Sequence, residues 1–102
     1  MKALVCSDFG STQDLSLETR DDLEPGAGEV LIDVKAAGVN FPDILTVEGK
    51  YQFKPPLPFI PGTEVSGVVT KLGEGVTTRK VGDEVVGMVQ LGGFASQVVT
   101  SE

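Results

Sequence analysis

Few side chains in this sequence are equipped for chemistry. Tyr51 is the only tyrosine, Cys6 the only cysteine, and histidine is absent. Those counts remove an internal disulfide, a Cys/His zinc site, a Ser/His or Cys/His nucleophile pair and a histidine general base. A chain without the usual neutral-pH proton carrier is not expected to be a self-contained acid–base enzyme. What remains is hydrogen bonding, with the Asn40 amide and the Tyr51 phenol as candidate groups. A phenol aimed at a reacting carbonyl donates to its oxygen as charge builds there, whereas a lone tyrosine is equally a packing residue. Cys6 alternates with apolar Leu4 and reads as a small buried hydrophobe rather than a redox group.

Two elements must position these groups. The stretch from Asn40 to Gly49 reads as a short helix: Asn40 caps its start, Pro42 fits the first turn, Asp43 suits the positive end of the dipole and Gly49 fits the stop. Asp43 then reads as a first-turn residue one turn from Asn40. Four prolines between Pro55 and Pro61 follow. They predict a stiff, extended, non-sheet loop suited to holding side chains beside a cleft. Phe41, Phe53 and Phe59 flank this region, some as core and some as an apolar wall for a flat ligand.

The rest of the chain has period two. Val30, Ile32, Val34 and Ala36 alternate with Leu31, Asp33 and Lys35, which predicts a strand with one buried face. Shorter strands are expected at Lys2 to Cys6, Leu15 to Thr19, Glu84 to Gln90 and Phe94 to Thr100, with a long one from Glu64 to Leu72. Glycine-rich corners separate them, as in a small barrel or sandwich. The 102 residues amount to one domain, and eight basic against 15 acidic side chains give a net charge of -7. That sign repels phosphate backbones and anionic lipid, so neither nucleic acid nor a membrane surface is the expected partner. No apolar run is long enough to cross a bilayer, and the start MKALVCSDFG lacks a signal peptide's apolar stretch, so a cytoplasmic location is expected. Asp21, Asp22 and Glu24 read as a solvated acidic turn.

The segments Gly38-Val39-Asn40-Phe41-Pro42-Asp43, Gly49-Lys50-Tyr51 and Pro55 through Val69 resemble the medium-chain dehydrogenase/reductase superfamily, and more narrowly its zinc-free quinone oxidoreductase branch. Gly28-Glu29-Val30-Leu31, Gly73-Glu74-Gly75-Val76, Gly82-Asp83-Glu84-Val85 and Gly93-Phe94-Ala95 support it in the family's order. The resemblance implies a mainly β fold: a GroES-like, partly open β-barrel with one or two short helices, residues 1–102 forming the N-terminal catalytic domain. In the family a Rossmann domain that binds NADPH follows. No glycine-rich dinucleotide turn follows a strand here, so that half is expected to be absent from this chain, which alone should not turn over. Edges and apolar surface left open would then favour self-association of the fragment.

The resemblance also assigns roles. Asn40 stands where zinc-dependent members carry a cysteine, and Thr63, before Glu64, where they carry a histidine. An amide and a hydroxyl are poor zinc ligands, and Val85 to Gly93 is too short for the four-cysteine zinc lobe, so no metal is expected. Asn40, Phe41 and Thr63 are implied to face the NADPH nicotinamide, Asp43 and Tyr51 the substrate, and Tyr51 and Asn40 the reacting centre. Glu64 loses the metal that would give it a supporting role and is expected to be structural. The implied reaction is hydride transfer to a small-molecule quinone or enone. The rivals are a co-chaperonin-like binding module on the same fold, and an enoyl-thioester reductase sharing the hydride chemistry.

Overall fold

The computed structural model describes all residues, 1–102. The elements run β1 (Lys2–Val5), β2 (Ser16–Thr19), β3 (Glu29–Gly38), α1 (Phe41–Glu48), β4 (Glu64–Leu72), β5 (Glu84–Met88) and β6 (Gln97–Ser101). One further turn, a 3-10 helix at Thr12–Asp14, was not singled out by the sequence pattern. Ser11 starts it by accepting a hydrogen bond from the Gln13 N–H at 3.1 Å.

β3 is flanked by β4 and β6, both antiparallel to it, and β5 extends the sheet beyond β4. β1 and β2 form a separate antiparallel ribbon. Residues 94–96 join the two sheets. The Leu4 N–H donates to the Phe94 carbonyl at 2.8 Å, the Ser96 N–H to the Lys2 carbonyl at 2.8 Å, and the Val34 N–H to the Ser96 carbonyl at 2.9 Å. One short segment thus serves both sheets and curls them into a partly open barrel. The last strand begins at Gln97 rather than Phe94 because residues 94–96 divide their bonds between β1 and β3.

The core is Val30, Ile32, Val65, Val69 and Val98. β4 alternates as its sequence predicts, with Val65, Gly67 and Val69 inward. β3 does not keep a single buried face: Val30, Leu31 and Ile32 are 3%, 2% and 1% exposed. The register shifts between Leu31 and Ile32 and again between Val34 and Ala36. A bulge interrupts the side-chain alternation, and a strand with neighbours on both sides is covered more completely than an edge.

The proline-rich loop is not free of sheet bonding either. Phe59 exchanges two backbone hydrogen bonds with Cys6, at 2.8 and 3.0 Å. Its N–H survives between prolines that have none to give, so this is where the loop pins to the end of β1. Phe59 packs with Cys6 and Val47 in a second cluster, its ring 6.1 Å from that of Phe9. The Cys6 thiol donates to the Asp8 carbonyl at 3.2 Å, and burial pushes its pKa above the ordinary thiol value. A thiol held protonated in this way is a poor nucleophile. No helix is long and apolar enough to cross a membrane.

Candidate functional site

The site is built at the junction of β3, α1 and β4. Asn40 occupies the position before the helix in extended backbone, and Gly49 ends the helix in the left-handed region at φ 75°. Gly49 is suited to this because it carries no side chain to clash there. Asp43 closes the helix start, its Oδ2 accepting from the Asn40 N–H at 2.8 Å. The Asn40 side chain faces the first turn in a capping-box arrangement but makes no capping hydrogen bond of its own. Instead its Nδ2 donates to Glu64 Oε1 at 3.2 Å.

The strand register explains how a carboxylate 24 residues away reaches this amide. Gly38 and Glu64 sit directly opposite each other where β3 ends and β4 begins. A β-carbon on Gly38 would overlap Glu64 Oε1 and lie 2.8 Å from its Cγ and Cδ. The missing side chain is therefore the slot along which Glu64 lies towards Asn40. Gly38→Ala is expected to displace the Glu64 side chain while leaving the strand intact. Stability should fall by about 1 kcal/mol, the worth of one hydrogen bond, and the Asn40 side-chain amide resonances should shift to those of a free amide. A melt and a ¹⁵N spectrum together check this; unshifted Asn40 resonances would show that the slot is not needed.

The remaining groups distribute as follows. Thr63 is half-buried and precedes Glu64, its carbonyl accepting from the Val89 N–H at 2.8 Å. Phe41, the first helical residue, is 68% exposed. Phe59 is core, as expected for part of the aromatic set, and Phe53 is half-buried. Asp43 is 4% exposed and committed to the helix start; it lines an apolar hollow of about 250 Å³ with Leu4, Leu15, Val39, Ile44 and Val47. Tyr51 is 38% exposed, and no hydrogen bond ties it to Asn40 or Thr63. None of the four hollows of the chain is lined by Asn40, Tyr51 or Thr63. The structure therefore joins Asn40 to Glu64, with Phe41 and Thr63 as their chain neighbours, on an open face. The Asn40–Glu64 bond is the feature that sequence reasoning missed. Its available signal was a glycine placed to pair with the residue that opens the next long strand.

A family model for the alcohol dehydrogenase GroES-like domain matches residues 26–102. The chain belongs to that family. Its GroES-like domain is 42% identical over 101 residues to quinone oxidoreductase-like protein 2 of Mus musculus, an alignment covering 99% of this chain and 28% of the relative. The chain thus spans under a third of the length of the curated relatives it matches. Among solved structures, human synaptic vesicle membrane protein VAT-1 homolog-like protein superposes with a TM-score of 0.96 at 38% identity, over 99% of this chain and 33% of the other. A mycobacterial protein complexed with NADPH superposes at 0.90 with 35% identity, over 99% and 31%. These relatives place the GroES-like domain in the medium-chain dehydrogenase/reductase superfamily of oxidoreductases, with quinone oxidoreductase-like neighbours. The mainly β, partly open architecture implied by the sequence resemblance is the one observed.

Proposed function

We propose that this domain, residues 1–102, is the catalytic-face half of a zinc-independent, NADPH-dependent reductase that passes hydride to a quinone or enone. The observation that carries this reading is the Asn40 amide held by Glu64, with Phe41, the next residue in the chain, 68% exposed. A tethered amide with a hydrogen to spare, followed in the chain by an exposed aromatic ring, fits a flat ring bearing a carboxamide. Asn40, Phe41 and Thr63 would hold the nicotinamide of NADPH, which when bound supplies the hydride. Tyr51, whose phenol has no tie to the rest of the site, is available to donate to the acceptor's carbonyl oxygen. Asp43 acts on the substrate side only by fixing the helix that carries Asn40. These residues orient the reactants and shed water; none is required to ionise, which suits a chain without histidine.

The test is NADPH consumption by the full-length protein carrying this domain, with a benzoquinone, an α,β-unsaturated ketone and an enoyl thioester as separate acceptors. Turnover with the first two supports the reading, turnover with the thioester alone favours the enoyl reductase, and turnover with none rejects both. The 102-residue chain alone should be silent, since it holds no glycine-rich dinucleotide turn.

The same reading predicts no stoichiometric zinc. The only thiol, Cys6, is 1% exposed and bonded to backbone, and Asn40 is engaged with Glu64. Elemental analysis after dialysis without chelator should return well under one zinc per chain; one per chain removes the branch assignment. Small-molecule substrates are the proposed partners, the net charge of -7 opposing nucleic acid and anionic membranes. Self-association through β5 is also proposed. Its outer edge is unpaired, and Val86 and Met88 on it are 76% and 68% exposed. Sedimentation equilibrium at micromolar concentration should show a dimer or larger, and a clean monomer would dismiss this contact.

A further inference from the structure

We infer that Glu64 is a positioning residue that sets both the orientation and the charge preference of the Asn40 amide, so that this site holds a neutral carbonyl oxygen and rejects an anionic one. This rests on the ligand-facing role given to Asn40 above and sharpens it.

The orientation follows from donor chemistry. A carboxylate only accepts, so the amide end 3.2 Å from Glu64 Oε1 must be the nitrogen. The amide oxygen is accordingly the end turned away from Glu64; no first-turn N–H bonds to it, the Asp43 N–H donating to the Asn40 backbone carbonyl at 3.0 Å. The amide nitrogen carries two hydrogens, and only one is used within the chain. The second is the group left for a ligand, and it can serve only an acceptor.

The charge preference follows from what stands behind that donor. A ligand oxygen one hydrogen bond beyond the amide lies about 5–6 Å from the Glu64 carboxylate. For a neutral carbonyl that neighbour is harmless. For an oxygen carrying a full negative charge the repulsion weakens binding by about three-fold in bulk water and much more where water is excluded. An oxyanion hole backed by a carboxylate works against itself. Asn40 is therefore assigned to ground-state holding of a neutral carbonyl such as a nicotinamide carboxamide, and the charge that develops on a reduced acceptor must be met by another donor. The partly exposed Tyr51 phenol is free to be that donor.

The experiment uses ¹⁵N-labelled 102-residue chain and two probes that share a ring, nicotinamide and nicotinate. Without ligand, Glu64→Ala should move the two Asn40 side-chain amide protons towards free-amide positions, whereas Glu64→Gln should hold them near the wild-type values, because the glutamine oxygen still accepts. With ligand, wild-type Asn40 should respond to nicotinamide at least about three-fold more tightly than to nicotinate, the fold-change set by the charge term. Glu64→Gln should abolish that preference while retaining nicotinamide binding. Unchanged amide signals in Glu64→Ala overturn the tether. Equal wild-type affinity for the two probes, a preference that persists in Glu64→Gln, or no Asn40 response to either probe overturns the charge selection. A preference that behaves as described in a chain whose full-length parent fails to oxidise NADPH rejects the proposed reaction and leaves this inference standing.

Discussion

Gly67→Ala is expected to be a severely damaging single-methyl change in the centre of the sheet. Gly67 lies in the middle of β4, paired with Val34 of β3. A β-carbon there would overlap the Asp33 backbone carbonyl and come within 2.9 Å of Ile32 Cγ2. A backbone carbonyl in the central strand cannot swing aside as a side-chain tip can. The strands must separate or the second register shift, between Val34 and Ala36, must move. Overpacking typically costs about 1–3 kcal/mol, and obstruction by backbone puts this case at the upper end, which in a domain of this size lowers Tm by about 12 °C or more. Thermal unfolding followed by circular dichroism decides it. A Tm within a few degrees of wild type would mean that β3 and β4 are not as closely applied as described. The contrast with Gly38→Ala is informative, because there the obstructed atoms belong to a side chain that can move.

Ile32→Ala is expected to be nearly as costly for the opposite reason. Ile32 is 1% exposed and belongs to the main core with Val65, Val69 and Val98. Its side chain fills the space that two glycines leave: its Cγ2 lies against Gly67, and its Cδ1 is 3.2 Å from where a β-carbon of Gly87 would be. Backbone on those sides cannot collapse to refill the volume, so the loss should fall in the upper part of the range of about 2–5 kcal/mol for such truncations. Ile32→Val, which removes only the Cδ1 methyl, should cost about 0.5–1.5 kcal/mol. Chemical denaturation of both variants provides the comparison, and equal losses would contradict the role given to the Cγ2 contact with Gly67, which valine keeps.

These cases also mark how far the sequence could be read. The helix from Phe41 to Glu48 was legible to the residue, because proline, aspartate and glycine each act locally on one or two turns. β4 was legible because its inward residues alternate without interruption. β3 was not, because a bulge is created by the pairing of two strands and leaves no mark in either strand alone. Pinning of Phe59 to Cys6 was hidden for a similar reason: prolines announce stiffness, and say nothing of which N–H between them finds a partner. At the site, the family resemblance singled out Asn40 and Thr63, but the object of Glu64 was invisible. Reading it needed the register that sets Gly38 opposite Glu64, which is a property of the assembled sheet.

The segment at residues 94–96 governs when this protein can fold as well as how. The backbone N–H of Lys2 donates to the Ser96 hydroxyl across 94 positions of sequence, and the neighbouring bonds of Leu4 and Ser96 span similar distances. A two-stranded ribbon such as β1 with β2 is marginal by itself in water. During synthesis β1 therefore leaves the ribosome with nothing to close against until almost the entire domain has been made. The entropy of so large a loop must be met before any of these bonds forms, and domains dominated by such distant pairings fold on the order of milliseconds to seconds. For that interval Ala3, Val5 and Cys6, each 1% exposed once folded, are presented to solvent and to whatever chaperone attends the nascent chain.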